Sequence, residues 1–245
     1  MVTPQQDLTD FPDPLDLISS NDNNEAAPDP EAMLGMLSSG SGHHKMIGAR
    51  AFCEIQDSRA MPLLLGLLEE SCALIRVSAT YALGKNPSID AIGPLVKLYH
   101  QDLNGYVRKG VVWALGNIAD RGGVPTLIHA LKTDISSVRL WAASGLAQHT
   151  ELEYEDVTKA IAPLIQGLRT DPIPAVRSNC AWAMGRLCRE LPSNVVYATA
   201  IDSLIEALVE DEDLGVKEDA RNALLKVGDP RGMNLIEELE MDGLI

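Results

Sequence analysis

Apolar and polar positions recur along this chain in one repeated arrangement. Counted from a basic residue as zero, apolar side chains fall at +3, +6, +7 and +10, as Val111, Ala114, Leu115 and Ile118 do after Arg108. At 100° per residue these positions share one face of a helix. Further copies start at Arg76, Arg139, Arg177 and Lys217, each preceded by Ile or Val. They lead to Tyr81-Ala82-Leu83-Gly84, Ser144-Gly145-Leu146-Ala147, Trp182-Ala183-Met184-Gly185 and the weaker Asn222-Ala223-Leu224. The steps between them are 32, 31, 38 and 40 residues, as in a stacked array of helix pairs. A degenerate first copy starts at Lys45, with Ile55 matching Ile118 and Asp57 matching Asp120.

Helix pairs are predicted at 59–69 and 74–86, 89–101 and 105–119, 122–132 and 136–149, 154–170 and 174–190, and 195–210 and 214–227. A lone helix near 231–240 caps the end, and a short one over Glu31–Leu37 precedes the array. The turns within the pairs carry Glu70, Asp102, Asp134, Asp171 and Asp211, five or six positions before the basic residue. Such an acid can accept backbone N–H groups in its own turn and pair with an Arg of an adjacent unit, which predicts a structural ladder along the stack. The expectation is an all-α solenoid, a superhelix of about five to six helix pairs, with one continuous core over residues 31–245.

Residues 1–30 read differently. They hold seven carboxylates, five prolines and no Lys or Arg, a composition that cannot offset its ordering entropy by burial. A disordered acidic tail is expected, with Phe11, Leu15, Leu17 and Ile18 set among the acids as in peptides that fold on a partner.

Composition narrows the classes. Apolar content of 46 % with only 4 % aromatics points to helices packed through small side chains. The formal charge of −15 repels phosphate backbones, so nucleic acid is not an expected partner. No apolar run approaches the ~20 residues of a membrane span, and no leader pattern opens the chain, so a soluble, cytoplasmic protein is expected.

Position +5 points about 150° away from the apolar cluster. Tyr81, Trp113, Ser144, Trp182 and Asn222 therefore form a row directed out of the core, joined at +1 and +9 by Lys85, Lys109, Asn117, Gln148, Ser178, Arg186 and Lys226. Trp and Tyr anchor binding surfaces well, since they bury a large rigid area and keep one polar group. The competing reading is that Tyr81, Trp113 and Trp182 pack between successive second helices, with Trp141 at +2 packing at an edge.

No Gly-rich phosphate loop, G-x-S-x-G or HExxH is present, so no catalytic residues are assigned. His100, His129 and His149 show no ligand spacing. Cys53, Cys72, Cys180 and Cys188 contain no CxxC; Cys180 and Cys188 stand ~12 Å apart along one helix, too far for one compact cluster. An iron–sulfur cluster would need cysteines of different repeats or of two protomers, with Cys72 the most exposed candidate.

Pro early in the first helix (Pro62, Pro94, Pro125, Pro163), Asp in the turn, and V-R followed by A-L-G in the second helix resemble the HEAT repeat in its short PBS-lyase variety. The resemblance covers about residues 43–240 and extends to the cyanobacterial phycobilin lyases of the CpcE/RpcE/PecE type and to phycobilisome-degradation factors of the NblB type. It implies a chaperone-like factor whose partner is a phycobiliprotein or its apo-protein, with phycocyanobilin as a candidate ligand. Aromatic residues suit a conjugated tetrapyrrole, and Lys and Arg suit its propionates. If the chain is an enzyme, the resemblance implies a phycobilin lyase-type subunit working beside a second HEAT-repeat subunit. Related cyanobacterial HEAT proteins linked to iron–sulfur assembly imply the alternative of a cluster carrier using the four cysteines, and a plain protein scaffold is the third reading.

Overall fold

The computed structural model describes residues 28–149 and 153–243; most of the predicted acidic tail, with Phe11, Leu15, Leu17 and Ile18, lies outside the described residues. These residues form thirteen α-helices and no strand. Six pairs stack in order: α1 (Pro30–Leu37) with α2 (Gly42–Ala51), α3 (Met61–Leu67) with α4 (Ala73–Lys85), and α5 (Ile92–Gln101) with α6 (Gly105–Ile118). Then follow α7 (Val124–Thr133) with α8 (Ser136–Gln148), α9 (Tyr154–Thr170) with α10 (Pro174–Leu187), and α11 (Val195–Glu210) with α12 (Leu214–Val227). The lone α13 (Pro230–Met241) closes the array.

The helix starts follow from local chemistry. Asp29 accepts the N–H groups of Glu31 and Ala32 at the head of α1, and Asn104 accepts those of Tyr106 and Val107 at α6. Three first helices do not begin as the periodicity predicts. Single 3-10 turns at Ser58–Ala60, Ile89–Ala91 and Arg121–Gly123 precede α3, α5 and α7. In each, Asp57, Ser88 or Asp120 accepts the N–H two residues on, and a Pro in the next turn suits the freed start of the helix. The longer repeat steps arise in α9 and α11, of 17 and 16 residues against 10 for α5 and α7.

The second helices α4, α6, α8, α10 and α12 pack each on the next without a break, whereas α3, α5 and α7 spread from one another. That asymmetry places the second helices on the inner side of the superhelix. Small residues permit the close approach: a Cβ on Gly116 would lie 2.7 Å from the Gly145 Cα. The core is one cluster from Leu37 to Ile236.

The predicted ladder is present. Arg76 grips Asp102, Arg108 grips Asp134, Arg139 grips Asp171 and Arg177 grips Asp211, each through Nε and Nη2 on the two carboxylate oxygens. The remaining Nη1 donates to a carbonyl of the Arg's own turn: Glu70, Asp102, Asp134 and Asp171. Every Arg thus ties two successive turns. Lys45 on Glu70, at 2.5 Å, is the first rung with Lys in place of Arg. At the other end Arg221 on Glu240 and Arg231 on Asp202 hold α13.

Candidate functional site

The inner layer has a charge pattern unlike the rest of the chain. The helices α2, α4, α6, α8 and α10 contain no Asp or Glu, in a protein with 35 acidic residues. Acids return in α12, with Glu218 and Asp219. The ladder arginines are paired with the turn aspartates, and three further cations of these helices are Lys85, Lys109 and Arg186.

Each of these three stands over an indole. The Lys85 Nζ lies 5.7 Å from the Trp113 ring, the Lys109 Nζ 6.0 Å from that of Trp141, and the Arg186 Cζ 5.4 Å from that of Trp182. Such contacts contribute about 0.5–1 kcal/mol at exposed sites and fix both partners in place. Trp113 also meets Tyr81, ring centroids 4.9 Å apart, and lies against Gly84, where a Cβ would collide with its ring. The packing reading therefore holds for Tyr81, which is 9 % exposed, and for one face of Trp113.

Tyr81, Lys85, Trp113 and Asn117 are brought together across α4 and α6; the Asn117 Nδ2 donates to the Trp113 carbonyl. Trp182 and Arg186 form a second group one turn apart on α10. Gln148 is half-buried at the end of α8. Lys109, expected to face a ligand, is instead largely buried with its ammonium over Trp141. Trp141 thereby joins the row, which its +2 position did not suggest. Ser144 accepts from the Asn179 Nδ2, and Ser178 donates to Asp219, whose carboxyl is raised by burial and partly relieved by that hydroxyl.

The cysteines are not gathered. Cys72 is exposed at the head of α4, Cys53 is half-buried after α2, and Cys180 and Cys188 are buried in the core. Burial pushes the Cys180 thiol up strongly and the Cys188 thiol to about 12, which disfavours the thiolates a metal needs. Among the described residues no group of three or more His, Cys, Asp or Glu side chains could hold a metal ion. The residues therefore do not fit a cluster held by one chain. The fold does bring together His100 and His129, with ring centroids 5.6 Å apart beside Tyr99. Their spacing gave no hint of it, since they sit on neighbouring first helices. His149 is buried between the carbonyl oxygens of Gly145 and Asp120. Among the described residues no helix is long and apolar enough to cross a membrane.

Known proteins resemble this chain in sequence or in fold. An uncharacterized phycocyanin operon protein Z from Pseudanabaena tenuis (strain PCC 7409) is 26 % identical over 171 residues, covering 69 % of this chain and 79 % of that protein. The CpcE–CpcF complex of phycocyanin lyase from Nostoc sp. PCC7120 superposes with a TM-score of 0.59 at 19 % identity, covering 93 % of this chain and 98 % of the other. A designed armadillo repeat protein in complex with the peptide (KR)4 gives a TM-score of 0.63 at 20 % identity, covering 81 % and 98 %. At such identities the superpositions speak for the fold. The model of HEAT repeats matches residues 92–161 and 161–242. That is more than half of the sequence, and the chain belongs to the HEAT-repeat family.

Proposed function

We propose that this chain is a client-binding, chaperone-like factor that receives a phycobiliprotein subunit, its bilin, or both on the inner face during phycobilisome assembly or turnover. The observation that carries the reading is the acid-free inner layer from α2 to α10, in which Trp113, Trp141 and Trp182 each sit under a cation. Rigid indoles supply contact area at low entropic cost, and Lys85 and Arg186, beside Trp113 and Trp182, match carboxylates, whether bilin propionates or acidic client side chains. The likeness to the phycocyanin operon protein and to the phycocyanin lyase fold supports phycocyanin as the client class. The fold of that complex also supports a second HEAT-repeat subunit as a partner.

Phycocyanobilin and purified phycocyanin apo-subunits, titrated separately, test this reading. A shifted visible spectrum with bilin, or a saturable isotherm with apo-subunit, weakened in Trp113→Ala, is the expected result. An unchanged spectrum together with no apo-subunit binding by the wild-type protein overturns it.

A further inference from the structure

One pair of metal-binding side chains lies outside the inner face. His100, near the end of α5, and His129, on α7, are both exposed, with ring centroids 5.6 Å apart and ring planes at 52°. They belong to first helices of successive units, in the outer layer. Tyr99 makes T-shaped contacts with both rings, at 5.1 and 6.1 Å, and its hydroxyl is anchored by a 3.0 Å bond to Asp134. The two imidazoles therefore share one fixed wall.

Their nitrogens can act as ligands. The Thr133 hydroxyl donates its one proton to the His129 carbonyl at 2.9 Å, so its 3.3 Å contact with the His129 Nε2 has the imidazole N–H as donor. That leaves Nδ1 of His129 as the lone-pair nitrogen, with the other ring nitrogen held in the manner usual for metal-ligating histidines. Among the described residues no hydrogen bond engages the His100 ring. Lys97, one turn before His100, pairs with Glu69 on the α3 side at 3.5 Å.

We propose that His100 and His129 share a divalent transition-metal ion that clamps α5 to α7. A metal ~2.0–2.1 Å from a ring nitrogen lies about 3.2 Å from that ring's centroid, so two centroids stand about 5.2 Å apart across a tetrahedral angle and about 6.4 Å apart across a linear one. The observed 5.6 Å falls between these limits and corresponds to an angle of about 120° at the metal. Imidazoles suit zinc, nickel or copper, whereas magnesium and calcium select oxygen ligands. Among the described residues no third His, Cys, Asp or Glu completes the group, so water fills the remaining positions and the ion is exchangeable. Because α5 and α7 spread from one another, an ion bridging them fixes the angle between two successive units.

The test is a calorimetric zinc titration of the full chain in excess magnesium, beside His100→Gln, His129→Gln, the double variant, Cys72→Ser and His43→Gln/His44→Gln. One ion per chain is expected at this site, bound at least about tenfold more weakly in either single variant. The double variant should lose little more than either single, because one remaining imidazole no longer chelates. Zinc should raise the melting temperature of the wild type and leave that of His100→Gln and His129→Gln in place. In the wild type zinc should also protect His100 and His129 together from diethyl pyrocarbonate, mapped by mass spectrometry, which reads the site without any substitution. Affinity unchanged in both single variants, affinity lost instead in Cys72→Ser or His43→Gln/His44→Gln, or both imidazoles left reactive at saturating zinc each overturns the proposal.

Discussion

Removing one rung of the ladder should uncouple two units of the array, and Arg108→Met is the sharpest case. Arg108 makes two 2.7 Å bonds to Asp134 and a 3.1 Å bond to the Asp102 carbonyl, with the guanidinium 19 % and the carboxylate 5 % exposed. Methionine keeps most of the packed stem but leaves the Asp134 anion with only the Tyr99 hydroxyl and the Ile135 N–H as donors. Breaking a buried pair from one side costs ~3–5 kcal/mol and an exposed pair ~0–1. The partial exposure of Arg108 places the expected loss at about 2–4 kcal/mol. Urea unfolding followed by circular dichroism and tryptophan emission measures it, with Lys97→Met, which removes an exposed partner of Glu69, as a control that leaves the midpoint in place. Because neighbouring units carry nearest-neighbour coupling, the two signals should separate in Arg108→Met. The double variant Arg108→Met/Asp134→Asn should lose less than the sum of the two singles, since the orphaned anion is gone. A single-variant loss under ~0.5 kcal/mol, or strict additivity, refutes the view that the rungs couple the units.

Other consequences follow from the same structure. Asp102, Asp134 and Asp211 are raised by burial but held below the usual carboxylate range by Arg76, Arg108 and Arg177 together with turn N–H groups. The unfolded chain then binds more protons in acid, so the ladder's contribution is present above about pH 4 and is lost as pH falls below it, readable as a falling melting temperature. Ala119 ends α6 in the left-handed region at φ 53°; Ala119→Gly relieves that strain and should stabilise by about 0.5–1 kcal/mol in urea titrations, whereas a loss contradicts the cap assignment. Gly116→Ala drives a methyl onto the Gly145 backbone and should destabilise by ~1–3 kcal/mol or more, read by thermal melting. An aromatic disulfide reagent should modify Cys72 fast and Cys180 and Cys188 only on unfolding, which equal rates for all thiols would contradict.

The helices were legible because the apolar period of one good copy, Val111 to Ile118, recurs often enough to average out local exceptions. The 3-10 turns were not, because Asp57, Ser88 and Asp120 redirect only three residues and leave the apolar spacing intact. The ladder could be read from position, since a turn acid and a helix-start Arg at fixed spacing have few other ways to meet. For the inner face the outcome is divided. Lys85 over Trp113 and Arg186 over Trp182 follow from the +5 and +9 positions, while Lys109 over Trp141 depends on the offset between α6 and α8, which a single helix wheel lacks. The most informative signal, the lack of Asp and Glu in five second helices, was present in the sequence. It is an absence, and it shows only once those helices are delimited. His100 and His129 meet through superhelical geometry alone.

The most direct test of the inner face as the client surface is the affinity of phycocyanin apo-subunit for wild type and for Lys85→Glu/Arg186→Glu at low salt. Both cations are partly exposed and outside the ladder, so the helical circular dichroism and the melting temperature should hold. The expected result is at least about tenfold weaker binding, with the difference shrinking as salt rises. Equal affinity for the two proteins would contradict the assignment of this face.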